Sequence, residues 1–126
     1  PSISFTVPGR ARNFAVRFPF IVLEKLRNEA KAVNITLNLQ RAGHFANYKV
    51  SEEGFINFLN VLWGKDKWEK GNGVGKKEMA KQFQQLGWDP LENAIIYNSP
   101  IQPNGAMTHY YFDAKAGIVY EDTGYW

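Results

Sequence analysis

Apolar and polar residues alternate strictly from Val33 to Gln40: Val33, Ile35, Leu37 and Leu39 stand against Asn34, Thr36, Asn38 and Gln40. A period of two places every second side chain on one face, so this segment predicts a half-buried strand. Ile3 to Val7 alternates in the same way and stops at the turn signal Pro8-Gly9. Phe14, Val16 and Phe18 alternate with Asn13, Ala15 and Arg17 before Pro19, which predicts a second strand with Arg12 and Arg17 near its ends. From Phe20 to Ala32 the spacing becomes helical, with Ile21, Val22, Leu26 and Ala30 on one stripe. A loop from Arg41 through Gly43 and His44 leads to a weaker strand at Phe45 to Val50.

Ser51, followed by Glu52 and Glu53, opens a second helix. Its hydroxyl can cap free N–H groups, and acids suit the positive end of a helix. Phe55, Ile56, Leu59, Leu62 and Trp63 give this helix an apolar face, and Gly64 ends it. The lysine-rich stretch Lys65 to Lys77 reads as a loop entering a third helix with Met79, Ala80, Phe83 and Leu86, closed by Gly87 and Asp89-Pro90. Ala94 to Tyr97 predicts a short strand, and Met107 to Asp113 with Ile118 to Glu121 a hairpin across Ala114 to Gly117. Together these elements predict one compact α+β domain over residues 1–126, with a mainly antiparallel sheet, about three helices and a C-terminal β-hairpin.

Composition narrows the chemistry. The 126 residues include no cysteine, which excludes disulfides, thiolate metal sites and a cysteine nucleophile. No run of about 18 apolar residues occurs and the first residues lack a signal-peptide pattern, so the expectation is a protein that does not span a membrane and stays inside the cell. The net charge of +3 is unevenly spread. Residues 1–81 carry fourteen Lys and Arg against seven Asp and Glu, giving +7, while residues 82–126 carry one against five, giving −4. This asymmetry bears on partners rather than on fold.

Two basic clusters stand out. Gly71-Asn72-Gly73-Val74-Gly75-Lys76-Lys77 fails as a nucleotide phosphate loop, because Lys70 sits where the first Gly belongs and Lys77 where Ser or Thr would hold magnesium. A Gly-rich entry to a helix with Lys65, Lys67, Lys70, Lys76 and Lys77 around it still suits a phosphate group. Arg10, Arg12 and Arg17, interleaved with Phe14 and Phe18, form the second cluster, and arginine forks match phosphate oxygens. The leading expectation is a domain that binds the nucleic-acid phosphate backbone through its N-terminal two thirds.

Two alternatives follow from other residues. His44 and His109, the only histidines, would be chemically sufficient with a nearby cation for a metal-independent nuclease. The pattern contains no HExxH spacing or cysteine ligand, so neither a metal nor another cofactor is expected, although Asp113, Glu121 or Asp122 could complete a ligand set by folding together. In the other alternative the chain is a non-catalytic subunit of a larger assembly, with the acidic C-terminal third and Tyr125-Trp126 contacting a protein partner or a second copy. The closing hairpin, Thr108 to Asp122, on a basic, cysteine-free body resembles the end of some bacterial C-terminal toxin domains, many of them nucleases. That resemblance covers about fifteen residues, has no diagnostic motif and assigns no residue.

Overall fold

A computed structural model describes residues 3–6, 14–40, 43–74, 94–103 and 105–125, with side chains described within 21–38, 44–71, 94–103 and 105–123. The described elements are β1 (Ile3–Thr6), α1 (Phe14–Asn28), β2 (Val33–Gln40), β3 (Gly43–Lys49), α2 (Glu52–Leu62), β4 (Glu69–Val74), β5 (Ile95–Asn98), β6 (Ala106–Asp113) and β7 (Ile118–Tyr125). Seven strands form one sheet in the order β1-β2-β3-β7-β6-β5-β4. β1 pairs with β2 in parallel, and every other pairing is antiparallel. The α+β class and the mainly antiparallel sheet are therefore as expected. Two helices occur among the described residues, while the third helix expected around Met79 to Leu86 lies outside them.

The alternation in β2 buries Ile35 and Leu37 as expected, but Val33 remains 37% exposed. The register explains the exception. Val33 faces Lys49 and Thr36 faces Asn47, so two residues on β2 oppose one on β3, and Asn34 takes a positive φ of 53° at this bulge. A bulge breaks the inside-outside alternation, and asparagine tolerates the left-handed region better than most residues.

The expected strand at Phe14 to Phe18 is instead the start of α1, so Arg17 stands on a helix. Five residues of alternation fit one and a half helical turns as well as a strand. Pro19, the sixth residue of α1, lies past the first turn, where a proline forgoes a ladder hydrogen bond and opposes a helix, so the local signals here run against the helix that forms. Val22, Leu23, Leu26 and Ala30 turn inward.

The second helix follows its local signals. The Ser51 hydroxyl accepts from the Gly54 N–H at 3.0 Å, and Gly64 leaves the helix at φ 106°. Phe55, Phe58 and Leu59 are buried against the sheet. Phe55 lies 5.1 Å from Tyr97, 5.5 Å from Tyr110 and 5.4 Å from Phe112 between ring centroids, so one helical side chain meets both β5 and β6. Trp63 Nε1 donates to the Tyr110 hydroxyl at 2.8 Å and Trp68 Nε1 to Asn60 Oδ1 at 2.9 Å, which ties the end of α2 and the following turn to this core.

The Gly-rich segment expected as a loop is largely strand β4. Glu69 faces Asn98, Lys70 faces Tyr97 and Val74 faces Ile95, with a register shift between Lys70 and Val74. A Cβ on Gly71 would come within 3.2 Å of the Ile96 carbonyl oxygen, a close backbone approach that favours glycine at this irregularity. The closing hairpin forms as expected: Asp113 Oδ1 accepts from the N–H groups of Lys115 and Ala116, and Gly117 has φ 66°. β7 runs on to Tyr125, which faces Ala106.

Candidate functional site

Register assigns each residue of the central strands to a face. Directly opposed residues share a face and consecutive residues do not. Leu37, Ala46, Glu121, Tyr110, Tyr97 and Lys70 form one row across β2, β3, β7, β6, β5 and β4. Phe55 and Phe58 pack edge-to-face against Tyr97 and Tyr110, so this is the face covered by α2. Asn38, Phe45, Asp122, His109 and Asn98 form the neighbouring row on the opposite face.

β7 thus carries two consecutive acids that point in opposite directions, and each meets a histidine. On the helix-covered face, His44 Nε2 lies 3.4 Å from Glu121 Oε2 and 3.4 Å from Thr123 Oγ1, which is itself 2.6 Å from Thr108 Oγ1. This pair is sealed, with His44 2% and Glu121 1% exposed. On the other face His109 Nδ1 lies 3.2 Å from Asp122 Oδ1; Asp122 is 0% exposed, whereas His109 keeps 14%. Tyr111 is buried beside this pair, and Phe45 and Tyr120 are half-buried around it.

Burial dominates the titration of these groups. It pushes the Tyr48 and Tyr110 hydroxyls well above the usual phenol value, and the Glu121 charge adds to the effect. Burial likewise raises Tyr111, with Asp122 reinforcing it. Asp122 itself is raised by loss of hydration, and the hydrogen bond and charge of His109 pull part of that shift back. Asp122 Oδ2 has no hydrogen-bond partner among the described residues, nor do Glu121 Oε1 and the Tyr48 hydroxyl.

Among the described residues, the two histidines expected to act together are kept apart. His44 belongs to β3 rather than to a loop, because Gly43 to Lys49 pairs with β2 and with β7 on its two sides. His44 and His109 occupy opposite faces and so do not converge on one phosphate. Lys65 and Lys67 are exposed in the turn after α2, and Lys70 is exposed on β4 with its ammonium 5.9 Å from the centre of the Tyr97 ring. Arg17 lies on α1, while Arg10, Arg12, Lys76 and Lys77 fall outside the described residues. No cluster of three His, Asp or Glu side chains suited to a metal occurs among the described residues.

Of the acidic C-terminal third expected to contact a partner, Asp89, Glu92 and Trp126 lie outside the described residues, and the other three acids are drawn into the sheet. This third supplies the central strand β7 and its neighbour β6, and Asp113, Glu121 and Asp122 are all buried, so these three acids form no surface for a partner. Asp113 is consumed by the hairpin turn, and the other two by the histidine pairs. The sequence marks Glu121 and Asp122 only as candidate metal ligands and as part of the acidic C-terminal third. Their partnership with histidines 77 and 13 residues away carries no local signal. Among the described residues no helix is long and apolar enough to cross a membrane. No family model matches the chain, and comparison with curated proteins and with solved structures also yields no match.

Proposed function

We propose that the domain binds the phosphate backbone of nucleic acid. The observation that carries this reading is the burial of Asp113, Glu121 and Asp122, which withdraws three of the nine described carboxylate side chains from solvent while none of the eight described Lys and Arg side chains is buried. These three carboxylates are then not at the surface to repel a polyanion at contact distance. Lys65, Lys67 and Lys70 stand exposed at one edge of the sheet and supply phosphate contacts there, with Arg10, Arg12, Arg17, Lys76 and Lys77 as the further cationic contributors. Binding of this kind releases counterions and needs no base-specific motif.

The test is the salt dependence of binding to fluorescent single-stranded RNA, single-stranded DNA and duplex DNA. Affinity should fall steeply with salt. Neutralising Lys65, Lys67 and Lys70 together to Gln should flatten the log–log slope by roughly 2 to 3, at about 0.7 to 0.9 per lost phosphate contact. The Arg10, Arg12 and Arg17 triple variant tests the second cluster in the same way. No binding to any of the three probes at about 50 mM salt, a concentration at which such contacts are strong, would end this reading.

A further inference from the structure

Trp68 stands where the lysine-rich turn after α2 enters β4, between Lys67 and Glu69. It is half-buried, whereas Lys65, Lys67 and Lys70 on either side of it are exposed. We propose that the indole of Trp68 is a stacking platform for an unpaired nucleobase, so that the strand held at this edge of the sheet is single-stranded, RNA or DNA alike. The inference rests on the nucleic-acid reading above and narrows it to one class of strand.

The ring is held from two directions. Its Nε1 donates to Asn60 Oδ1 on α2 at 2.9 Å, and its centroid lies 5.8 Å from that of Tyr97 at an interplanar angle of 52°. Tyr97 is buried and Trp68 packs on the margin of the main core, so the surface that the indole keeps in water is its outer side. The turn that carries it is closed tightly. The Gly64 N–H donates to the Asn60 carbonyl at 3.0 Å and the Lys67 N–H to the Gly64 carbonyl at 3.1 Å, while Gly64 and Asp66 take positive φ values of 106° and 69°. A platform fixed before its ligand arrives loses little conformational freedom on binding.

The chemistry of this edge favours an unpaired strand over a duplex. Every base has a flat π-face, and a tryptophan ring receives it without regard to sequence. In a duplex those faces are already stacked on their neighbours, and reaching one requires unstacking and unpairing. Charge alone is modest here: exposed Asp66 and Glu69 alternate with Lys65, Lys67 and Lys70, and the Glu52 charge reaches the Tyr97 hydroxyl nearby. The ring therefore adds a contact that does not depend on counterion release. The Lys70 ammonium lies 5.9 Å from the centre of the Tyr97 ring on which Trp68 packs, so a cation stands beside the platform for the phosphate of the stacked nucleotide.

The experiment measures the anisotropy of fluorescent single-stranded RNA, single-stranded DNA and duplex DNA of equal length, with the intact chain and the variants Trp68→Leu and Trp68→Phe. Folding is checked by circular dichroism. At equal salt the wild type should bind either single strand at least about fivefold more tightly than the duplex, the lower end for one stacked base. Trp68→Leu keeps an apolar side chain against Tyr97 but no flat ring. It should weaken single-strand binding at least about fivefold and leave the log–log salt slope unchanged, because no phosphate contact is lost. Neutralising the lysines acts on the slope instead, so stacking and charge separate in one plot. Unlabelled single strand should quench the indole fluorescence of the wild type, and Trp68→Phe should lose that quench, which decides the matter if the leucine variant does not fold. Duplex bound as tightly as single strand, a folded Trp68→Leu with undiminished affinity, or a quench that persists in Trp68→Phe would overturn the inference and leave the phosphate reading standing. Absence of binding to all three probes would remove the two together.

Discussion

His44 and His109 face away from each other across β7, because their register partners, Thr123 and Asp122, are consecutive residues of that strand. Only one strand separates the two that carry the histidines, yet the sheet itself lies between the rings. The two His–carboxylate pairs therefore make separate contacts, with only the charges of Glu121 and His44 reaching Asp122 through the sheet, and one pair is sealed where the other touches solvent.

His44→Ala should destabilise the fold strongly. The substitution strands the Glu121 carboxylate in a row between Ala46 and Tyr110, and its Oε1 already has no hydrogen-bond partner among the described residues. Breaking a buried pair by removing one member costs about 3 to 5 kcal/mol. Urea denaturation at neutral pH measures the loss. A variant within about 0.5 kcal/mol of wild type, the range of neutral surface changes, would contradict the structural role.

Asp122 makes a pH-dependent contribution whose sign is set by burial. Its folded-state pKa is raised above 3.8, so the stability linked to its protonated form is present at low pH and is lost as pH rises through the raised value. Asp122→Asn has no such proton to lose. Between pH 4 and pH 7 the variant should therefore gain stability relative to wild type, as read from denaturation midpoints at both values. A relative loss with rising pH would refute this assignment. His109→Ala should move the Asp122 titration upward, since the contacts that pull it down are gone, and carboxyl-carbon NMR follows that shift directly.

Gly54→Ala should destabilise the protein although alanine is the better helix former. An added Cβ would lie 2.4 Å from the Ala30 carbonyl oxygen, where the turn after α1 abuts the first turn of α2. That atom is backbone and cannot rotate away. Overpacking costs of about 1 to 3 kcal/mol exceed the helix-propensity gain of roughly 1 kcal/mol. Thermal melting of the variant decides the sign.

Tyr110→Phe removes the acceptor of the Trp63 indole N–H while keeping the ring in the core. Loss of one partly buried hydrogen bond should cost about 1 kcal/mol. Trp63→Phe in the same background should add little further polar cost, because the donor is then also gone. A double-mutant cycle by urea denaturation tests that coupling, and strictly additive losses would count against it.

Ser51 at the head of α2, the Gly64 exit, the alternation of Ile35 and Leu37 and the Asp113 to Gly117 turn were all legible in the chain. Each depends on forces acting over a few residues: capping, side-chain period and positive φ. Phe14 to Phe18 misled because five alternating residues fit either period, and Glu69 to Val74 because its strand character comes from pairing with β5, more than twenty residues on. The acids at 121 and 122 show the limit most clearly. Local sequence marks them as charge for solvent, but the flanking of β7 by β3 and β6 places them inside the sheet. Alternation then sends the two acids to opposite faces, and only the long-range register brings His44 to one and His109 to the other. Composition and local pattern determined the class and many of the turns. Which charges remained in water, and which histidine kept access to it, was decided by strand order, because burial belongs to the neighbours a residue acquires in space.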